Sequence, residues 1–193
     1  MQLPFSFDPR RSVSHLFIVI CIIVSLVWFS VNGVIEQYGF HRDSINSGDT
    51  AGIIAQLVFF QFLHWSLLHL FLNSYFLYSA WPEVESRMSR NRFIQFFVTA
   101  TIFVAICLYF FASPDVTIGI SGFCMALLSY LWIDLHTTRH PLANQILIML
   151  VINILLGLSG NISFVGHAAG AVWWVIWWKF FRDRKKSWAS LWR

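Results

Sequence analysis

Residues 116–133 read VTIGISGFCMALLSYLWI, eighteen positions without a single charge. A run of about 20 apolar residues is what a helix needs to cross roughly 30 Å of hydrocarbon. The run is not unique. Comparable stretches lie near 16–35, 66–81, 93–112, 142–159 and 164–181, which gives six candidate spans. Across the whole chain of 193 residues, 58% are hydrophobic and only 11% are charged. That leaves too little polar surface to cover a soluble globule of this size. Apolar runs this long exceed barrel strands, and every backbone polar group within lipid must be satisfied internally, so the expected fold is an all-α, six-helix membrane bundle.

The basic residues orient it. Of the 13 Lys and Arg, Arg10 and Arg11 precede the first span, Arg87, Arg90 and Arg92 follow the second, Arg139 follows the fourth, and Lys179, Arg182, Arg184, Lys185, Lys186 and Arg193 close the sixth and follow it. Only Arg42 falls on the other side. Positive charge gathers on the cytoplasmic side of membrane proteins, so both termini are expected there. The organisation is then a cytoplasmic segment 1–15, one membrane domain 16–181, and a basic tail 182–193 beside the lipid surface. The net charge of +4 is accounted for by this topology and anionic lipid, with no nucleic-acid partner. The first apolar run reads as a span, since no small-x-small cleavage site follows it.

Cys21, Cys107 and Cys124 all fall within spans and have no metal or redox spacing, so they read as small apolar residues. From 53 to 81 the sequence is apolar beyond the length of one span but is interrupted by His64, His69 and Asn73. An external loop over 36–65, its last part at the membrane interface, followed by the second helix, accommodates this.

Polar residues inside a bilayer are costly and face a cavity or a partner. On the outer half they are His64, His69, Asn73, Ser121 and His167. With the N-terminus inside, the even-numbered spans all begin at the outer face, which brings His69, Ser121 and His167 to one depth. A serine hydroxyl becomes a nucleophile when a base takes its proton, and neutral imidazole suits that task. Gly119 and Gly122 flank Ser121 and permit close backbone approach at a loop-to-helix junction whose free N–H groups can meet an oxyanion. His69 and Asn73 stand at i and i+4 on one helix face, so both can donate to the same oxygen. His64 lies off that face, in the loop. No carboxylate is placed within the membrane to complete a triad, so the expected constellation is a Ser–His dyad. His64 and His69 have neither the spacing nor the neighbouring ligands of a metal site, and no cofactor is implied.

These residues together resemble the rhomboid family of intramembrane serine proteases, over about residues 55–181. The resemblance rests on His64, His69 and Asn73 as H-x-x-x-x-H-x-x-x-N, Glu85 and Arg87 as E-x-R, Gly119 to Gly122 as G-x-S-G, and His167 with Gly170 as H-x-x-G. It implies Ser121 as nucleophile, His167 as general base, and His69, Asn73 and the Ser121 backbone as the oxyanion hole. It further implies that Glu85 and Arg87 tie the second helix to its cytoplasmic loop. The expected substrates are transmembrane proteins, cut in a bacterial-type inner or plasma membrane at a site open to the outer face, with 158–166 as a lid. A catalytically silent relative that binds transmembrane segments is the alternative. The sequence departs from the family pattern in three ways: Ala55 and Gln56 replace a Trp-Arg pair in the first external loop, Met125 replaces an aromatic one turn after the serine, and Trp174 replaces a second glycine after the histidine, with Gly166 expected to restore a close helix contact one turn earlier.

Overall fold

The computed structural model describes residues 12–46, 48–85, 88–112, 115–159 and 163–181. The expected cytoplasmic ends, Arg87 and the middle of the 158–166 segment therefore lie wholly or largely outside the described residues. The chain is predominantly helical: α1 (Val13–Ser30), α2 (Val34–Tyr38), α3 (Arg42–Asn46), α4 (Thr50–Phe59), α5 (Leu67–Glu85), α6 (Arg90–Phe111), α7 (Ser121–Thr137), α8 (Ala143–Leu156) and α9 (Phe164–Phe181). Among the described residues, α1 and α6 are long and apolar enough to cross a membrane, and α4 and α8 are shorter apolar helices.

Three expectations need correction. The first span ends at Ser30, not at 35: Val31 is extended and Gly33 is left-handed at φ 83°, which starts a new turn into α2. The loop over 36–65 is largely helical, through α2 to α4. Most consequentially, the span read from 116 begins only at Ser121. Residues before it are extended because Phe40 and Thr117 exchange both backbone hydrogen bonds, at 3.0 and 2.9 Å, and Gly119 sits at φ 113°. Val116, Thr117 and Ile118 are β-branched or flank β-branched neighbours, which suits this short extended run.

The chain divides into two compact units. The first comprises Met1–Gln95 and Ser113–Ile120, the second Phe96–Ala112 and Ser121–Arg193. In the first, α1 packs against α5. Its opening turn would leave orphan N–H groups. Glu85, at the end of α5, meets them: its carboxylate accepts from Val13 N (2.7 Å), Ser14 N (3.3 Å) and the hydroxyls of Ser12 (2.8 Å) and Ser14. Ser12 adds an N-cap bond from His15 N. A negative group at a helix N-terminus is also favoured by the helix dipole.

The region where Ala55 and Gln56 stand is anchored by Gln56, which is buried. Its Oε1 accepts from His41 N (3.4 Å) and its Nε2 donates to Gln37 O (3.4 Å), so the amide binds α4 to the chain on either side of Phe40.

In the second unit α7 is central, with residues 122–129 all buried, and it packs on α8 and α9. Gly122 and Gly170 let α7 and α9 touch backbone to backbone: a β-carbon on Gly170 would overlap the carbonyl oxygen of Gly122. One turn beyond Gly170 the helices hold bulk instead. Trp174 is buried with its ring 4.0 Å from that of Tyr130 and 5.3 Å from that of Phe96. A glycine at 174 would leave that space empty, which explains the aromatic residue there.

Candidate active site

The first unit holds His64, His69, Asn73 and Gly119. Ser66 immediately precedes α5, its hydroxyl accepting from His69 N at 3.2 Å. One turn later comes Asn73, and the two side chains share a face, as their spacing requires. That face meets Gly119: a β-carbon built there would lie 2.8 Å from Cε1 of His69 and 3.8 Å from Nδ2 of Asn73. Gly119 is fixed in turn by its N–H, which donates to Phe60 O at 2.8 Å. Glycine is thus required at 119 twice over, by its positive φ and by the histidine ring against it. Asn73 is buried, and its Nδ2 has no hydrogen-bond partner among the described residues. Burying such a donor is costly unless something accepts from it, which makes it an amide awaiting an acceptor.

His64 belongs to the loop, as expected, and it is fully buried. Its Nδ1 lies 3.1 Å from Ser25 Oγ and 3.2 Å from Phe62 O, while its carbonyl accepts from Trp28 Nε1 at 3.0 Å. The residue fastens α1 to the approach to α5. Its ring stands edge-on to that of His69, with centroids 4.9 Å apart. Burial, and secondarily the neighbouring His69, pushes its pKa down to about 3, so the ring is neutral.

In the second unit Ser121 opens α7 and is half-buried. Being the first residue of a helix, it has an N–H without an intrahelical acceptor. Gly122 follows, and its own β-carbon would stand 3.1 Å from Gly166 O, just before His167. Met125, where an aromatic residue was the family expectation, is buried in α7. His167 is buried in the first turns of α9.

The state of its ring follows from one bond. Nδ1 of His167 lies 2.8 Å from the main-chain oxygen of Asn153. A carbonyl can only accept, so Nδ1 carries the hydrogen and a neutral ring presents a lone pair at Nε2. Nε2 is buried and has no hydrogen-bond partner among the described residues. The sequence places no side-chain carboxylate within the expected spans to orient the histidine. The orienting group is a backbone carbonyl of α8, which no motif can signal.

The Rhomboid domain family model matches residues 51–183. The match takes in every candidate site residue named above and leaves α1 outside. No curated protein matches the chain.

Proposed function

Because the chain belongs to the rhomboid family, whose members are integral membrane proteins, we propose that it is a serine endopeptidase that hydrolyses peptide bonds in or near transmembrane segments. The observation that carries this reading is the ring of His167, held by Asn153 O at Nδ1 and left with a buried Nε2 that has no hydrogen-bond partner among the described residues. That is the tautomer a general base needs.

In the proposed reaction, Ser121 Oγ attacks the scissile carbonyl carbon as its proton passes to His167 Nε2. The carbonyl oxygen becomes an oxyanion and takes hydrogen bonds from the Ser121 N–H, His69 and Asn73. On collapse the C–N bond breaks, and the leaving amine takes the proton from His167. Water, deprotonated by the same ring, then attacks the acyl-serine, and Ser121 regains its proton as the acid departs. Support for the oxyanion roles comes from Gly119, which lies against His69 and Asn73 and precedes Ser121 by two residues in the chain, and from the unsatisfied Nδ2 of Asn73. Donors fixed in advance where charge develops are worth most in a dry site.

The proposed setting is a six-span bundle with both termini cytoplasmic, in a bacterial-type inner or plasma membrane, its catalytic face outward. Substrates would be membrane-anchored proteins whose helix unwinds locally, since a hydrogen-bonded helix hides its carbonyls.

The test compares wild type, Ser121→Ala and His167→Ala on a single-span substrate in liposomes. Cleavage by wild type alone is expected. Cleavage that persists in Ser121→Ala removes the nucleophile assignment, and a wild type that binds but never cleaves the substrate favours the silent relative.

A further inference from the structure

The bond from His167 to Asn153 O needs a carbonyl that an ordinary helix would not leave available. In α8 the oxygen of Asn153 should accept from the N–H four residues on, that of Gly157. It does not. The Gly157 N–H turns to Ile154 O and Leu155 O, and a 3-10 turn follows over Gly157–Ser159. Tightening of the last turn thus frees the Asn153 oxygen. Gly157 also carries the start of α9: a β-carbon there would lie 2.5 Å from Cα and 2.7 Å from N of Phe164. Both are backbone atoms and neither can swing aside. The absence of a side chain at 157 lets α9 begin directly against the end of α8, and His167 stands one turn after Phe164.

We infer that Gly157 is a positioning residue for the catalytic histidine: by ending α8 in a 3-10 turn and admitting Phe164 against it, it releases the Asn153 carbonyl and sets His167 on it. The side chain of Asn153 takes no part, since its Nδ2 donates to Met149 O of its own helix at 2.8 Å. The inference rests on the protease reading for its effect on turnover, but not for its effect on the tautomer.

Gly157→Ala therefore lowers kcat by about 10- to 100-fold with little change in KM, as loss of an orienting group or a misplacement of about 1 Å does. A second variant avoids any added atom: replacing Ile154 by its α-hydroxy acid converts the Asn153 carbonyl into an ester, a weaker acceptor, while the same exchange at Leu155 leaves that carbonyl an amide and serves as control. Nitrogen-15 spectra of labelled histidine in detergent, with His167→Asn identifying the signal, read the ring directly. The expected spectrum shows the hydrogen on Nδ1 in wild type and a mixture of tautomers in Gly157→Ala and in the Ile154 ester. The hydrogen on Nε2 in wild type, or a Gly157→Ala protein with wild-type kcat and tautomer, overturns the inference. Should wild type show no Ser121-dependent cleavage yet hold the hydrogen on Nδ1, lost in the Ile154 ester, the protease reading fails and the positioning inference stands.

Discussion

Gly170 of α9 lies so close to Gly122 of α7 that a β-carbon on the one would overlap the carbonyl oxygen of the other. The contact is backbone on backbone, the arrangement by which small residues bring membrane helices together. It need not be symmetric in its tolerance. A β-carbon on Gly122 meets Gly166 O at 3.1 Å and a methyl of Val104 at 3.3 Å, distances that a few tenths of an ångström relieve. Gly170→Ala is therefore expected to lower the unfolding temperature in detergent far more than Gly122→Ala, with overpacking costing on the order of 1–3 kcal/mol or more. Equal effects would show that the helices can simply move apart.

Asn73→Ala removes the buried amide whose Nδ2 has no hydrogen-bond partner among the described residues. If Nδ2 serves the oxyanion, kcat falls by roughly 10²- to 10³-fold while KM and folding stay near wild type. An unchanged kcat would return Asn73 to a packing role.

Glu85→Ala strips the start of α1 of its carboxylate. Caps of this kind are worth about 0.5–2 kcal/mol, and more where a charged acceptor is lost. Thermal unfolding should register the loss, and Glu85→Gln, which keeps one acceptor oxygen, should recover part of it. Indistinguishable melting of all three proteins would reduce the carboxylate to an incidental neighbour.

His64 makes stability depend on pH. It lies between α4 and α5, and its folded pKa near 3 is below the ordinary histidine value of the unfolded chain. The unfolded state therefore binds the extra proton first, so its contribution is complete above about pH 6.5 and is lost as pH falls towards 3. Unfolding temperatures measured from pH 7.5 down to 4.5 should decline more steeply for wild type than for His64→Asn. Parallel curves would mean that other groups govern the acid limb.

Phe164 to Phe181 was readable as a helix to its last residue, and His69 with Asn73 shared a face as their spacing required. Periodicity and apolar length carry that much. They did not show that α7 waits until Ser121, because Val116 to Ile120 is as apolar as the helix it precedes; only pairing with the distant Phe40 makes it extended. Helix α4 was missed for a related reason, since a mostly apolar stretch of ten residues fits a loop at the interface as well as a helix. Ser121 and His167 announce themselves by residue type. The Asn153 oxygen does not, because every residue has a carbonyl and only the geometry of a chain end decides which one is free.

Glu85 and Val13 are separated by 72 residues, and that distance sets an order of assembly. While the chain is being made, the opening N–H groups of α1 have no carboxylate to meet until α5 is complete to its last residue. Synthesis runs from the N-terminus, and a contact of this span closes a long loop before it repays the entropy. Helix α1 is thus left unfinished until the helix partner that will seal it arrives. A nascent chain halted short of residue 85 would hold α1 with an open end, whereas one carried past it would let α1 close on α5.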